Sequence, residues 1–148
     1  MMPALMARLQ GDLNAARKSG DKARTLLLGT IIADVRNREI ELRRELTDDD
    51  VIEVLQRGIK KRRESIEMYG KGGRTDLADK ERVEVDILGE YLPPAVSTDE
   101  LRAAIKAAIA GGAKNIGAVM GKVMPQFKGR AEGGTISALA KEELNRSA

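Results

Sequence analysis

Apolar side chains recur at steps of three and four residues along most of this 148-residue chain. That spacing places them on one face of an α-helix, and the pattern restarts after glycines and prolines that end one helix before the next. The segment LLLGTII could form a strand by itself, but no second strand-like run that could pair with it lies nearby. The sequence therefore predicts an all-α protein.

Four helices are predicted in an N-terminal domain spanning residues 1–93. Gly20 ends the first helix, Asp21 caps the second, and Thr47 caps the third, whose first turn carries three aspartates. The second helix is expected to reach the region of Leu46. The glycines at 70–73 separate a third and a fourth helix, which should fold back on each other as a long hairpin. The apolar positions that define these helices are Met2, Leu5, Leu9, Leu13, Ala16, Leu28, Ile31, Ile32, Val35, Leu42, Leu46, Ile52, Leu55, Ile59, Ile66, Tyr69, Leu77, Val85, Leu88, Tyr91 and Leu92.

Pro93 and Pro94 mark the predicted domain boundary, since consecutive prolines cannot continue a helix and stiffen the connection. A smaller domain of three helices follows over residues 97–148, at roughly 98–110, 115–127 and 135–146. Ser97 and Asn115 are suited to cap the first two of these helices. Few large side chains are available to this C-terminal core, so it is expected to be only marginally stable alone.

Charged residues on the inner face of the predicted hairpin form one candidate site. Arg62 lies on the apolar face of the third helix, and Glu81 and Glu84 lie on the apolar face of the fourth. A carboxylate pair beside an arginine could act as a general acid and base, or it could be an ion cluster that fixes the register of the two helices. The second interpretation is favoured, because no nucleophile or phosphate-binding glycine loop is nearby.

The C-terminal domain carries the chain's entire net charge of +3, since the first 95 residues are balanced. Lys114, Lys122, Lys128 and Arg130 give four positive charges within 17 residues without an acidic residue among them. The pattern fits either contact with a phosphate backbone or an ordinary solvated helical hairpin.

Gly117, Gly121 and Pro125 recur every four residues on a face different from the apolar stripe of the same helix. That row has no bulky side chain, so another backbone could approach it closely. Pro125 cannot donate a hydrogen bond to the Gly121 carbonyl, so the helix is expected to kink or end near it.

Several chemistries are excluded or unsupported by composition. The chain has no His and no Cys, which rules out the nucleophilic sets that depend on them. We identify no catalytic residue, no metal site and no cofactor site. No apolar run is long enough to span a bilayer, and the N-terminus lacks a signal-peptide pattern. The expectation is a cytoplasmic protein without a membrane partner.

The segment GKVMPQFKGRAEGGTISALAKEEL, residues 121–144, resembles the end of the YqeY family and of the tail domain of GatB. The shared pattern is G-x-V-M, K-G-x-A and a final helix with K-E-x-L. The segments RTLLLGTIIADVRNREIE and KKRRESIEMYGKGGRTDLADKERVEVDILGEYLP also resemble the YqeY family. The positions that match the C-terminal pattern are Gly121, Val123, Met124, Lys128, Gly129, Ala131, Lys141, Glu142 and Leu144.

GatB is a subunit of the amidotransferase that amidates Glu-tRNA(Gln) or Asp-tRNA(Asn), and its helical tail binds the tRNA body. The resemblance therefore implies a tRNA partner, possible contacts with amidotransferase or aminoacyl-tRNA synthetase proteins, and the family label of a carbon–nitrogen ligase with glutamine as amido-N-donor. The chain resembles the tail and not the catalytic cradle, so an accessory in aminoacyl-tRNA metabolism is expected, not an enzyme by itself. The residues predicted to contact tRNA are Lys114, Gly117, Gly121, Lys122, Lys128 and Arg130.

Two alternatives stay open. The chain could be a helical protein-interaction module in which the row of Gly117, Gly121 and Pro125 contacts a partner helix. It could also be a weak enzyme that uses Glu81 and Glu84.

Overall fold

A computed structural model describes residues 2–147, and this part of the chain is helical without any β-strand. The chain divides between Leu92 and Pro93 into two compact units. The α-helices are α1 (Ala4–Ser19), α2 (Lys22–Leu42), α3 (Asp48–Lys71), α4 (Thr75–Gly89), α5 (Thr98–Ala110), α6 (Ile116–Val123) and α7 (Gly133–Ser147). The all-α prediction is confirmed. No helix within the described residues is long and apolar enough to cross a membrane.

The first unit contains α1 to α4, packed around an aliphatic core to which all four helices contribute. Leu9, Leu28 and Ile31 are fully buried, and so are Leu55 of α3 and Leu88 of α4. Most of the predicted apolar positions are buried or pack against this core, but Met2 is exposed. Four further predicted positions are only half-buried and lie outside the core cluster: Ile52, Ile66, Tyr69 and Leu77. Because α3 and α4 pack along each other, they form the hairpin expected from the glycines between them.

Helix α2 ends earlier than the apolar pattern suggested. Its last residue is Leu42, and Arg43 takes a left-handed backbone conformation with φ of 54°. Leu46 is nevertheless buried, because the connecting segment folds it into the same core. The apolar periodicity therefore located the buried residues correctly but not the end of the helix.

The start of α3 is held by hydrogen bonds within its own sequence. The Thr47 side chain accepts from the backbone N–H of Asp50, and the Asp50 carboxylate accepts from the backbone N–H of Thr47, which completes a capping box. Arg44 adds two hydrogen bonds to the same carboxylate, of 2.7 and 3.0 Å. The predicted Thr47 cap is confirmed, and Asp50 is buried because it serves this cap.

The end of the first unit is fixed by Tyr91, which is buried. Its hydroxyl donates a hydrogen bond to Asp12 of α1, and the guanidinium of Arg8 lies 4.5 Å from the ring centroid. Burial, followed by the hydrogen bond to Asp12, raises the pKa of Tyr91. These contacts join the chain after α4 to α1, since Arg8 and Asp12 both lie on that helix.

The second unit packs α5, α6 and α7 around a smaller core. Ile105 of α5, Val119 and Val123 of α6, and Ile136 and Ala140 of α7 are at most 1% exposed. After Val123 the chain tightens into a 3-10 helix, Met124–Phe127, with Pro125 inside it. This change of geometry is the interruption that Pro125 was expected to cause.

A buried charge joins the first and last helices of this unit. Glu143 of α7 is 3% exposed, and its carboxylate accepts from Arg102 of α5 at 3.0 Å and from Arg146 at 3.4 Å. Arg102 also donates to Glu142 at 2.7 Å. This network was not anticipated, since the residues it joins are about forty positions apart.

Candidate nucleic-acid interface

Gly117, Gly121 and Pro125, here called the glycine row, lie on the surface because the apolar residues of α6 are directed into the core of the second unit. Asn115 caps the helix by accepting a hydrogen bond from the backbone N–H of Ala118 at 2.9 Å, as the sequence predicted. Val119 and Val123 are fully buried. The opposite face is therefore left on the surface, and the residues exposed there are Gly117, Ala118, Gly121 and Pro125.

The space outside the row is open. A Cβ atom built on Gly121 would meet nothing within 4 Å, and one on Gly117 would meet only Oδ1 of Asn115, at 3.4 Å. Neither glycine is therefore needed for packing within this unit. The backbone of α6 is accessible along this face to a molecule that approaches from outside.

The four predicted cations are all exposed. Lys114 directly precedes the cap of α6, and the Lys122 ammonium lies 3.4 Å from the Gly111 carbonyl at the end of α5. Within residues 2–147 no carboxylate pairs with Lys114, Lys122 or Arg130. These three charges are therefore available to an external anion.

Arg130 is positioned by its backbone as much as by its side chain. Its N–H donates to Phe127 at 2.8 Å, its carbonyl accepts from Val96 at 3.2 Å, and its Nε donates to the Pro94 carbonyl at 3.3 Å. Gly129, just before it, is buried and has a φ of 77°, a left-handed conformation that favours glycine. Lys128 and Arg130 therefore lie on either side of a sharp and well-fixed turn.

The cations are spread along the helix and not gathered at one point. Eight α-helical residues and four 3-10 residues span roughly 20 Å, with Lys114 before them and Lys128 and Arg130 after them. Such spacing is too wide to bind one small anion with every charge. It suits several separate contacts with an extended anionic surface.

A second basic segment was missed as a candidate. Residues 57–63 of α3 contain five basic residues and no acidic one, which is denser than the C-terminal set. In the structure this segment is divided: Arg57 pairs with Glu53 at 2.8 Å, and Arg62 turns toward Glu84. Lys60 and Lys61 are exposed. The sequence feature that could have identified this segment is the KKRR run at residues 60–63.

The structure brings Arg62 close to Glu84 across the α3–α4 hairpin. Arg62 Nε lies 3.8 Å from Glu84 Oε2, and these side chains are 15% and 22% exposed. Burial, followed by repulsion from Glu81, raises the pKa of Glu84. All three residues line a groove of about 480 Å³ between α2, α3 and α4, here called the α2–α4 groove. Their register-fixing role stays a prediction.

Metal binding by the carboxylates has no geometric support in the described part of the chain. No group of three or more acidic side chains within residues 2–147 comes together in a way that could hold an ion. At the start of α3, Asp50 binds Arg44 and Thr47, and Asp48 accepts a hydrogen bond from the backbone N–H of Leu5 at 3.0 Å. These two carboxylates serve the helix start and its contact with α1.

Comparison with known proteins gives several longer relatives. The chain is 33% identical over 132 residues to "Altered inheritance of mitochondria protein 41, mitochondrial" of Pyrenophora tritici-repentis, covering 86% of this chain and 73% of that protein. Proteins of the same name from Eremothecium gossypii and Saccharomyces cerevisiae are 31% and 27% identical and match 66% of this chain. The chain spans little more than half the length of those two relatives, 55% and 54%.

These names overturn one expectation from the sequence. A cytoplasmic location was predicted from the absence of a recognisable leader, whereas the relatives are named as mitochondrial proteins. The prediction was wrong because composition and the first few residues carry little information about the compartment.

A wider match concerns the chain itself: residues 6–144 match the family described as Yqey-like protein. Since that match covers nearly the whole sequence, the chain belongs to the YqeY family.

Proposed function

We propose that this YqeY-family chain binds tRNA through the exposed face of α6 and the cations around it. The observation that carries the proposal is the open glycine row, together with Lys114, Lys122 and Arg130, with which no carboxylate in residues 2–147 pairs. The proposed contact residues are Lys114, Gly117, Gly121, Lys122, Lys128 and Arg130.

In such a contact the protein would recognise the ribose-phosphate backbone of the RNA. Exposed Lys and Arg side chains bind phosphates, and glycines let the helix backbone approach the ribose-phosphate surface closely. The chain has only three aromatic residues, and Phe127, the one beside this surface, is buried. Stacking on exposed bases therefore contributes little, and the shape of a folded RNA is what the surface would recognise.

The biological role that we propose is that of an accessory in tRNA-dependent amidation. It rests on the resemblance of residues 121–144 to the GatB tail, which binds the tRNA body. In this proposal residues 97–148 form the RNA-binding domain and residues 1–93 a separate helical domain. The amide transfer itself, the carbon–nitrogen ligase activity with glutamine as donor, would be carried by an amidotransferase or synthetase partner.

A second candidate is a helical protein-interaction module, and one observation favours it. Met124 is 43% exposed, and it follows directly on α6. Its Cε and Sδ lie 3.3 and 4.0 Å from where a Cβ atom on Gly133 would be, so the side chain reaches toward the start of α7. An exposed apolar side chain directly after the helix that carries the glycine row is what a partner helix would contact. Binding of a partner helix through an apolar surface should depend little on salt concentration, whereas RNA binding through cations should weaken as the salt concentration rises.

A salt titration of tRNA binding by the full chain tests the proposal. Three or four phosphate contacts should give a log–log slope of roughly −2 to −4, since each contact contributes about −0.7 to −0.9. The double variant Lys114→Glu/Lys122→Glu should lose binding. The matched control Lys106→Glu/Lys141→Glu changes the charge equally at exposed positions outside the predicted set. Equal loss in both variants, or binding insensitive to salt, would refute the assignment of this surface.

A further inference from the structure

The solvent side of α2 carries a seven-residue repeat that the core of the first unit does not use. Leu26, Ala33 and Ile40 are seven residues apart, and the two large side chains are 70% and 73% exposed. Single exposed apolar residues are common on protein surfaces, but this spacing is that of the d positions of a coiled coil. The intervening a positions are exposed as well. Together these positions, here called the α2 face, are Ala23, Leu26, Thr30, Ala33, Asn37 and Ile40.

The two polar residues of the α2 face suit a covered contact between helices. The Thr30 hydroxyl already donates to the Leu26 carbonyl at 3.0 Å, so covering it would leave no donor unpaired. The Asn37 amide has no hydrogen-bond partner within residues 2–147. At an a position, a single asparagine can pair with the same asparagine of a second helix, and this pairing fixes the register and number of strands. The free amide therefore favours an identical helix as the partner.

Charges beside the α2 face are separated by sign. The charged g positions of α2 are Lys22 and Arg36, and the charged e positions are Asp34 and Glu41. No carboxylate within residues 2–147 pairs with Arg36, and Glu41, which accepts from Arg38 at 3.0 Å, is still 62% exposed. In two parallel strands a g position lies beside the e position five residues further along the other strand, so Arg36 would face Glu41 of the second copy. Antiparallel strands would bring like charges together.

We propose that two copies of this chain associate through the α2 face, with their α2 helices parallel and in register. Leu26, Ala33 and Ile40 each meet the same residue of the other copy. Arg36 pairs with Glu41 of the other copy twice, because the arrangement is symmetric. Helix α2 has 21 residues and is roughly 30 Å long, so the contact is small and its Kd should be about 1–100 µM. The proposal is independent of tRNA binding, which concerns the other unit.

Sedimentation equilibrium of the full chain tests the association, at concentrations from about 1 µM to about 1 mM. The average molar mass should rise from that of one chain toward that of two. The variant Leu26→Gln/Ile40→Gln should raise the Kd about tenfold or more, because it removes both large apolar side chains from the contact. These side chains are exposed in the single chain, so its fold should be kept.

The matched control is Met68→Gln/Val83→Gln. It changes two apolar residues that are 73% and 57% exposed and lie outside α2, and it should leave the Kd unchanged. A single chain at every concentration overturns the proposal. Equal weakening by the two double variants overturns it as well.

Charge reversal tests the direction of the helices. Arg36→Glu places a glutamate beside Glu41 of the other copy and should raise the Kd about fivefold or more. Arg36→Glu/Glu41→Arg exchanges the two signs and should return the Kd to within about threefold of the wild type. Failure of the double variant to recover the loss overturns the parallel arrangement, and so does an unchanged Kd for Arg36→Glu.

An introduced cysteine locates the contact, since the chain has none of its own. Ala33→Cys changes the central d position, where the residue would meet its own copy, and mild oxidation above the Kd should link most chains in pairs. Ala15→Cys, at an exposed position of α1, is the control and should stay largely unlinked. Equal linking of the two variants, or none at position 33, overturns the proposal. This measurement decides the matter if a charge variant does not fold.

Discussion

Arg44 binds Asp50 through both terminal nitrogens of its guanidinium, at 2.7 and 3.0 Å, and Asp50 is 7% exposed. The same carboxylate accepts from the Thr47 backbone at 2.9 Å and from the Thr47 hydroxyl at 3.0 Å. One aspartate thus completes the cap of α3 and attaches the preceding segment to it. This explains why Asp50 alone of the three consecutive aspartates is buried.

Replacing Asp50 with Asn should destabilise the first unit. The variant keeps the size of the side chain but loses the charge-assisted bonds to Arg44 and weakens the capping box. The expected loss in the free energy of unfolding is about 1–2 kcal/mol, measured by urea denaturation. Asp86→Asn, an exposed change on α4, is the control and should have little effect.

The same contact makes stability depend on pH. Hydrogen bonds from Arg44 first, and then from the Thr47 backbone, hold the pKa of Asp50 well below its usual range. Because the pKa is lower in the folded state, this stabilisation is complete above the unfolded pKa of about 4 and is lost as the pH falls below it. The difference in unfolding free energy between the wild type and Asp50→Asn should therefore shrink in acid. A difference that stays constant down to the acid transition would contradict this account.

Gly58→Ala tests the close packing beside the α2–α4 groove. In an exposed helix interior, glycine to alanine stabilises by about 1 kcal/mol. At Gly58 the added methyl would press on Ile31 and on the Arg62 guanidinium at 3.2 and 3.3 Å. Gly11→Ala is the matched change, in α1 with nothing within 4 Å. Urea denaturation should show a higher free energy of unfolding for Gly11→Ala than for the wild type. The change in that free energy for Gly58→Ala should be less favourable than the change for Gly11→Ala by about 1 kcal/mol or more. Equal gains would show that the neighbours of Gly58 move without cost.

Gly121→Ala should separate stability from binding. A Cβ there meets nothing within 4 Å, so alanine should stabilise α6 by somewhat less than 1 kcal/mol. If the glycine row contacts RNA backbone, the same methyl should weaken tRNA binding severalfold. The control is Gly134→Ala in α7, which is exposed, equally open and outside the proposed contact set. Tighter or unchanged tRNA binding by Gly121→Ala would show that close approach at this row is not used.

The sequence was sufficient where structure is decided by neighbouring residues. Thr47 and Asn115 cap the helices that they were expected to cap, because a cap is formed within three or four positions of the chain. The end of α2 was misplaced, since Leu46 keeps the apolar period although Arg43 has already left the helix. Periodicity reports which side chains are buried, and a loop can bury one as well as a helix can.

Partners distant in sequence could not be predicted in the same way. Tyr91 bonds Asp12 over 79 positions, and Arg102 bonds Glu143 over 41, and both pairs depend on which helices pack side by side. The approach of Arg62 to Glu84 was foreseeable only because a short glycine turn forces α3 and α4 together. The α2–α4 groove also needs Arg38 from α2, and no local pattern indicates that contribution.

Gly129 makes the direction of two charges depend on one backbone torsion. Its φ of 77° sets the path from Lys128 into Arg130, and residues with a side chain rarely adopt that backbone conformation. Mutation at this position would redirect both cationic side chains while leaving the net charge of the protein unchanged. A homologue could therefore retain every lysine and arginine of this surface and still lose their arrangement through one uncharged replacement.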